Sequence, residues 1–141
     1  EHKYSVPIVV ALHPRADLTK AKENFLGRKV VVRKTGALIK TALFAIVHYS
    51  NAINYCVLHK KPFVLTTTDE LEVSDDAVFV RVLEKFFSKV AINLSKKQYV
   101  TMPFSLDVDA NNYSQYKRDF IKANDDHDDE FWVVAIEKIG I

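Results

Sequence analysis

The chain has 141 residues, of which 48% are hydrophobic and 27% charged, a balance typical of a folded globular domain that argues against disorder. Its formal net charge is only +2 and its basic residues are dispersed, so the composition does not favour nucleic-acid binding. The single cysteine, Cys56, excludes an intramolecular disulfide and is typical of a reducing, cytoplasmic compartment. We therefore expect one domain over residues 1–141.

Strands alternate with helical segments in the first half of the chain. Apolar runs predict strands at 6–12, 30–32, 43–47 and 63–66, the last entered through Pro62. The segments between these strands have helical spacing, at 17–25, at 37–42 and after Ser50. This rhythm predicts parallel strands joined by right-handed crossovers. The expected fold is α/β: a Rossmann-like three-layer sandwich with a mainly parallel sheet of four or five strands.

The second half of the chain is predicted to be more helical. Ser74 would cap a helix over 75–89, whose apolar face would carry Val78, Val82, Leu83 and Phe86. The remaining expectations are a loop at 69–72, a fifth strand at 90–94, an alternating segment at 104–109, a helix after Asn111 or Asn112, an acidic break at 124–129 and a final helix over 130–139.

Polar side chains follow each of the first four predicted strands. Because the carboxyl ends of parallel strands meet at one edge of a sheet, beside helix N-termini, we expect these side chains to share that edge. Cationic groups there favour a phosphate, and a carboxylate on a neighbouring turn favours ribose hydroxyls. The pattern predicts a site for a phosphorylated nucleoside. The candidate binding residues are His13, Arg15, Lys34, Thr35, His48, Ser50, Asn51 and Glu70.

Several candidates also have a plainer structural explanation. His13, which precedes Pro14, would fit equally well as the end of a strand in extended geometry. Ser50 would act as a helix N-cap whether or not it binds phosphate, and the two roles are compatible. His48 would fit equally well as a histidine at the edge of the core. Asp69 and Glu72 compete with Glu70 for the ribose. Lys34 and Thr35 fit a solvated lysine and an ordinary cap.

Metal sites are not predicted. The spacing of His48 and His59 offers no zinc motif, and the acidic segment 125–130 lacks the glycine and ligand rhythm of a calcium loop. Cys56, with apolar neighbours in a predicted helix, fits a packing role.

Three segments resemble a known family. They are His13-Pro14 after the first strand; Leu38-Ile39 followed by 44–52, Phe-Ala-Ile-Val-His-Tyr-Ser-Asn-Ala; and 58–65, Leu-His-Lys-Lys-Pro-Phe-Val-Leu. Together these segments are similar to the nucleotide-sugar-binding half of GT-B glycosyltransferases. The resemblance is closest to the bacterial sialyltransferase-like enzymes of surface-polysaccharide synthesis, which use CMP-activated sugars. It covers about residues 6–72.

The resemblance implies a catalytic role for His13, which would contact the donor phosphate and assist the departing nucleotide. Ser50 would bind the same phosphate, although the family has another Ser or Thr where this chain has Asn51. The acidic general base lies in the family's N-terminal half, so this chain alone would bind donor without catalysing transfer. The implied partners are a nucleotide-activated sugar, a saccharide acceptor and the missing N-terminal domain, at the inner face of the cell membrane. No metal or other cofactor is expected.

Two other functions fit the same residues. One is a polyol-phosphate transferase of the teichoic type, which would use a CDP-activated polyol in place of a sugar. The other is a non-catalytic, flavodoxin-like interaction domain, with an exposed apolar patch around residues 113–132 and no nucleotide affinity.

Overall fold

The computed structural model describes residues 6–13, 15–96 and 105–121, which form a mixed α/β structure. Within these residues, no helix has the length and apolar character needed to cross a membrane. The predicted acidic break at 124–129 and helix at 130–139 lie outside the described residues. The strands are β1 (Val9–Leu12), β2 (Lys29–Val32), β3 (Ala45–Val47), β4 (Phe63–Thr67) and β5 (Ile92–Asn93). The helices are α1 (Leu18–Asn24), α2 (Thr35–Thr41), α3 (Ala52–Leu58), α4 (Asp69–Glu72), α5 (Ala77–Phe87) and α6 (Ala110–Tyr116), the last continued by a π-helical turn, Lys117–Ile121.

Every strand pair in the described residues is parallel, as the alternation of strands and helices predicts. β1 pairs with β2, while β4 lies between β3 and β5 in a second sheet. No pairing joins the two sheets within the described residues, so the prediction of one sheet of four or five strands is wrong. Apolar runs mark where strands form, but they carry no information on which strand edges meet.

Several element boundaries differ from the predicted ones. β1 begins at Val9 rather than residue 6, and β3 excludes Leu43, whose side chain is exposed. The predicted loop at 69–72 is helix α4, because the Thr68 hydroxyl accepts the Leu71 N–H at 3.2 Å and caps it. β5 is shorter than predicted, and residues 105–109 form no strand.

The predicted helix caps were also partly wrong. α2 begins at Thr35 itself, and the Ser74 hydroxyl donates to the Leu71 carbonyl at 2.8 Å instead of capping α5. At α6 the cap is Asp109, whose carboxylate accepts two backbone N–H groups at 2.9 and 3.0 Å. A capping residue is recognisable only once the helix start is known.

Helix α5 buries only part of the predicted face, because Leu83 and Phe86 pack against the core as predicted but Val78 and Val82 do not. Ala77, Val80 and Phe87 are buried, whereas Val78 and Val82 are about half exposed. Apolar residues occur around most of this helix, so sequence periodicity alone does not select the face that meets the core.

The core is built around β4 and α3. Phe63, Leu65, Ile53 and Cys56 are fully buried, which confirms the packing role of Cys56. Phe87 of α5 meets the Phe63 ring edge-on at 5.0 Å.

Helix α6 closes the core from the side of Phe63. The Tyr113 ring stacks on Phe63 at 6.0 Å, and its hydroxyl donates to the Lys61 carbonyl at 2.8 Å. Lys89 lies over the same Phe63 ring, 5.4 Å from its centre, and donates to the carbonyls of Ser105 and Asp107. These contacts hold the segment that leads into α6 against the core.

Helix α3 ends in a Schellman motif. The Lys60 N–H donates to the Val57 carbonyl at 3.1 Å, and the Lys61 N–H donates to the Cys56 carbonyl at 2.8 Å. Lys60 therefore takes a left-handed conformation, with φ of +50°, at the position that glycine usually fills. The other non-glycine residues with positive φ in the described part of the chain are Leu26, Arg33 and Ser88.

Helix α2 connects the two sheets. It contacts β1 on one side and α3 on the other, and α3 in turn contacts β3. The approach of α2 to α3 is close at Gly36, where an added Cβ would lie 2.9 Å from Cε1 of Tyr55. The missing side chain of Gly36 is therefore what admits the Tyr55 ring.

The Gly36–Tyr55 contact predicts strong coupling between these two positions. Gly36→Ala should lower the free energy of unfolding by about 1 kcal/mol, because the gain in helix propensity does not offset overpacking against the ring. In a Tyr55→Ala background the same change should be neutral or stabilising. Urea denaturation of the four proteins measures the coupling. Equal effects of Gly36→Ala in both backgrounds would contradict this contact.

Burial in the core predicts a loss of stability at alkaline pH. Burial raises the pKa of the Cys56 thiol from 9.0 to about 12, and burial together with Cys56 also raises the pKa of the Tyr113 phenol. Above pH 9 the unfolded chain releases these protons while the native state retains them, so stability falls as pH rises through the interval from about 9 to 12.

Denaturation at a series of pH values tests the alkaline effect. For Cys56 the slope approaches about 1.4 kcal/mol per pH unit. Cys56→Ala should give a shallower slope over pH 9–11, whatever its stability at neutral pH. An unchanged slope would show that the thiol is not protected by burial.

Candidate functional site

The turn after β1 contains His13 and Arg15, both exposed. The Arg15 backbone N–H donates to Nδ1 of His13 at 3.2 Å, and the Ala16 N–H donates to the His13 carbonyl at 2.9 Å. Asp17 then begins α1 by accepting the Thr19 N–H at 2.9 Å. Because Nδ1 of His13 is an acceptor here, the proton of the neutral ring lies on Nε2.

The turn after β3 contains His48, Tyr49, Ser50 and Asn51. The Ser50 hydroxyl oxygen accepts the Ala52 N–H at 3.2 Å, but Ser50 lies one residue before the cap position of α3, so the prediction that it is the N-cap is wrong. The formal cap position is Asn51, whose side chain makes no capping hydrogen bond. Asn51 and His48 are both exposed.

The other candidates lie on separate turns. Lys34 and Glu70 are exposed, and Thr35 is half-buried at the first position of α2. Within the described residues, no hydrogen bond or ion pair joins the side chains of the eight candidate residues to one another. The structure therefore places them after four different strands, as predicted, without linking them directly.

Two aromatic rings lie beside the turn after β3. The Tyr49 ring is 5.1 Å from the His48 ring and stacks on Phe79 of α5 at 6.2 Å, with 20° between the ring planes. A hydrogen bond to the Asp76 carboxylate, and its negative charge, raise the pKa of the Tyr49 phenol. Sequence reasoning missed Phe79, which was predicted only as part of a helix.

A polar network at the ends of β4 and β5 was not predicted. Asn93 is only 8% exposed, and its Nδ2 donates to Asp69 at 2.8 Å and to Glu72 at 2.7 Å. Its Oδ1 accepts the Ser95 N–H at 2.9 Å, and the Ser95 hydroxyl accepts the Asp69 N–H at 3.1 Å. Nζ of Lys96 lies 4.0 Å from Oε2 of Glu72. A search for polar residues at the ends of predicted strands would have found Asn93 if β5 had been predicted to end there.

An open cleft of about 290 Å³ lies between α5 and the β4–β5 pair. Ligand pockets usually enclose roughly 300–1,000 Å³, so the volume of this cleft is near the lower end of that range. One wall is fixed by Glu84, whose Oε1 accepts the Ala91 N–H at 2.7 Å. None of the eight candidate residues lines it. The lining residues are Thr67, Glu72, Ala77, Val80, Arg81, Glu84 and Ala91.

No group of three or more His, Cys, Asp or Glu side chains suited to holding a metal ion occurs in the part of the chain that the structure describes. Asp69 and Glu72 both accept hydrogen bonds from the Asn93 amide. The pair is therefore organised by a neutral donor that satisfies one oxygen of each carboxylate.

Comparison with known proteins identifies no relative. No protein-family model matches the chain, and no curated protein or solved structure shows a significant match. Function has to be inferred from the residues and their placement.

The Asn93 network predicts that a negative charge at position 93 lowers the stability of the protein in a pH-dependent way. Asn93→Asp should destabilise the protein by about 2 kcal/mol at pH 7, because it replaces a buried donor with a third carboxylate. The loss of stability caused by Asn93→Asp should become smaller below about pH 4, where carboxyl groups become protonated. Thermal unfolding at pH 7 and pH 3.5 measures both effects. Asn24→Asp, at an exposed position, is the control, and a similar change in melting temperature for both variants would contradict the network.

Proposed function

We propose that the chain is the donor-nucleotide-binding domain of a glycosyltransferase in bacterial surface-polysaccharide synthesis, and that it binds a CMP- or UDP-activated sugar. The observation that carries the proposal is the placement of hydrogen-bond donors on the turns after β1 and β3. The likeness of segments 13–14, 44–52 and 58–65 to the sialyltransferase-like family supports the same function.

The order of the strands supports this location. The orders β2-β1 and β3-β4-β5 are the two parts of the order 2-1-3-4-5, which is common among doubly wound α/β folds. In folds of that order, β1 and β3 are neighbours in one sheet, the strand order reverses between them, and ligands bind just outside their carboxyl ends. Here β1 and β3 belong to separate sheets, so the likeness is one of strand order alone. His13 follows β1, and His48 and Ser50 follow β3.

The hydrogen bonds already made in these turns leave donors for a ligand. Ser50 uses its oxygen to accept the Ala52 N–H, so its hydroxyl proton is available to a phosphate oxygen. His13 accepts at Nδ1, so its Nε2–H is available in the same way. Arg15 and Lys34 are exposed cations that would add charge stabilisation. This set of donors suits an anionic ligand such as a nucleotide phosphate.

These donors fit the chemistry of glycosyl transfer. The acceptor hydroxyl would attack the anomeric carbon of the sugar, and the bond from that carbon to the phosphate oxygen would break. The departing oxygen gains negative charge, which a hydrogen bond from the His13 Nε2–H would stabilise. The base that removes the acceptor proton would come from the N-terminal half of the full enzyme. This division of roles makes the chain a binding domain.

Calorimetric titration with CMP, CDP, UDP and GDP up to millimolar concentrations tests the proposal. We expect a cytidine or uridine nucleotide to bind best, and His13→Ala and Ser50→Ala each to weaken that binding about tenfold, as expected for loss of a hydrogen bond to a charged group. Ser50→Ala should also lower stability by about 1 kcal/mol through loss of the hydrogen bond from the Ala52 N–H.

Matched controls separate local from general effects. His59→Ala removes a histidine at the other end of α3, and Ser114→Ala removes an exposed hydroxyl of α6, so neither should change nucleotide affinity. Equal binding by parent, His13→Ala and Ser50→Ala would mean that the site is misplaced. Tighter binding of a CDP-activated polyol than of any sugar nucleotide would favour the teichoic-type transferase. No heat and no thermal shift with any nucleotide would overturn the proposal in favour of an interaction domain.

A further inference from the structure

Three aromatic rings are neighbours at the turn after β3, two from the turn itself and one from α5. His48, Tyr49 and Phe79 have successive centroid separations of 5.1 and 6.2 Å. Tyr49 is 39% exposed and Phe79 is 55% exposed, and neither belongs to the hydrophobic core cluster. Packing of the core therefore does not explain why two aromatic side chains stack at this surface.

The orientation of the Tyr49 ring is held by α5. Asp76, the residue before α5, interacts with the Tyr49 hydroxyl, and Phe79 lies in the first turn of the same helix. Stacking on Phe79 restricts rotation of the Tyr49 ring. A ring held in this way loses little conformational entropy when a planar ligand stacks against the pair.

The position of the rings connects them to the phosphate-binding residues proposed above. Tyr49 lies between His48 and Ser50 in the sequence, so its ring is carried by the same turn as the Ser50 hydroxyl. A nucleotide places its phosphate and its base at opposite ends of the ribose. A site that holds the phosphate at this turn needs an apolar surface nearby for the base.

We propose that Tyr49 and Phe79 form a stacking platform for the nucleobase of the bound nucleotide. This inference rests on the proposed nucleotide-binding function and adds a base-binding surface to it. Stacking on aromatic rings accepts any base, because every base has a π face. The platform would therefore supply affinity, while discrimination between bases would come from polar groups elsewhere.

Titration with CMP followed by NMR tests the platform directly. In the parent protein, the cytosine H5 and H6 signals should move upfield as the base enters the ring current of the aromatic pair. Phe79→Ala should raise the dissociation constant at least fivefold and reduce this upfield movement. Phe79→Leu, which retains apolar bulk without a ring, should behave in the same way.

Val82→Ala is the matched control. Val82 is on the same helix and is about as exposed as Phe79, at 51%, so its truncation should leave both affinity and base shifts unchanged. Tyr49→Phe keeps the ring but loses the contact with Asp76, and should bind with intermediate affinity. Melting temperatures of all variants confirm that the fold is retained, as expected for such exposed positions.

The outcomes distinguish the two proposals. If the parent binds CMP and Phe79→Ala binds equally well with the same base shifts, the platform is wrong and the nucleotide-binding function stands. Reduced affinity with unchanged base shifts would also overturn the platform, because Phe79 would then act only through the fold. If the parent binds none of CMP, CDP, UDP and GDP, both proposals are overturned.

Discussion

The complete burial of β4 is the constraint on which the rest of the structure depends. All five residues of this strand are buried, with β3 and β5 paired to its two edges. Since side chains alternate between the faces of a strand, Phe63 and Leu65 lie on one face and Val64 on the other. Burying a side chain the size of Phe63 contributes about 1.5–3 kcal/mol. A strand enclosed in this way fixes the direction of its neighbours and therefore the edge at which their carboxyl ends meet.

Phe63 also determines how the later helices pack. Phe87 of α5 and Tyr113 of α6 both contact its ring, so two helices distant in sequence are brought to one point. The Tyr113 hydroxyl reaches the Lys61 carbonyl, just before β4 begins. A buried phenol needs such a partner, because an unsatisfied polar group in the core costs about 1–3 kcal/mol. The apolar contact and the hydrogen bond together set the position of α6 relative to the central strand.

The sequence was sufficient to predict the first four strands, the helices between them and the parallel pairing, because apolar runs and helical spacing report on the immediate environment of each residue. Phe63, Cys56 and the turns containing His13 and Ser50 were all placed in this way. The contact of Asn93 with Asp69 spans 24 positions, and that of Phe79 with Tyr49 spans 30. No periodicity encodes such pairs, and the Phe79 contact also depends on the face that α5 turns to the core. For the same reason, the division of the strands into two sheets was not predictable from their apolar character.

The left-handed residues have a practical consequence for work on this protein. The chain contains only three glycines, and Leu26, Arg33, Lys60 and Ser88 take positive φ values that glycine would adopt without strain. Each such residue costs roughly 1–2 kcal/mol relative to an unstrained conformation. Domains of this kind are usually stable by only about 5–15 kcal/mol. Replacing these four exposed residues with glycine should therefore relieve backbone strain and raise the free energy of unfolding. A more stable engineered form would suit crystallisation.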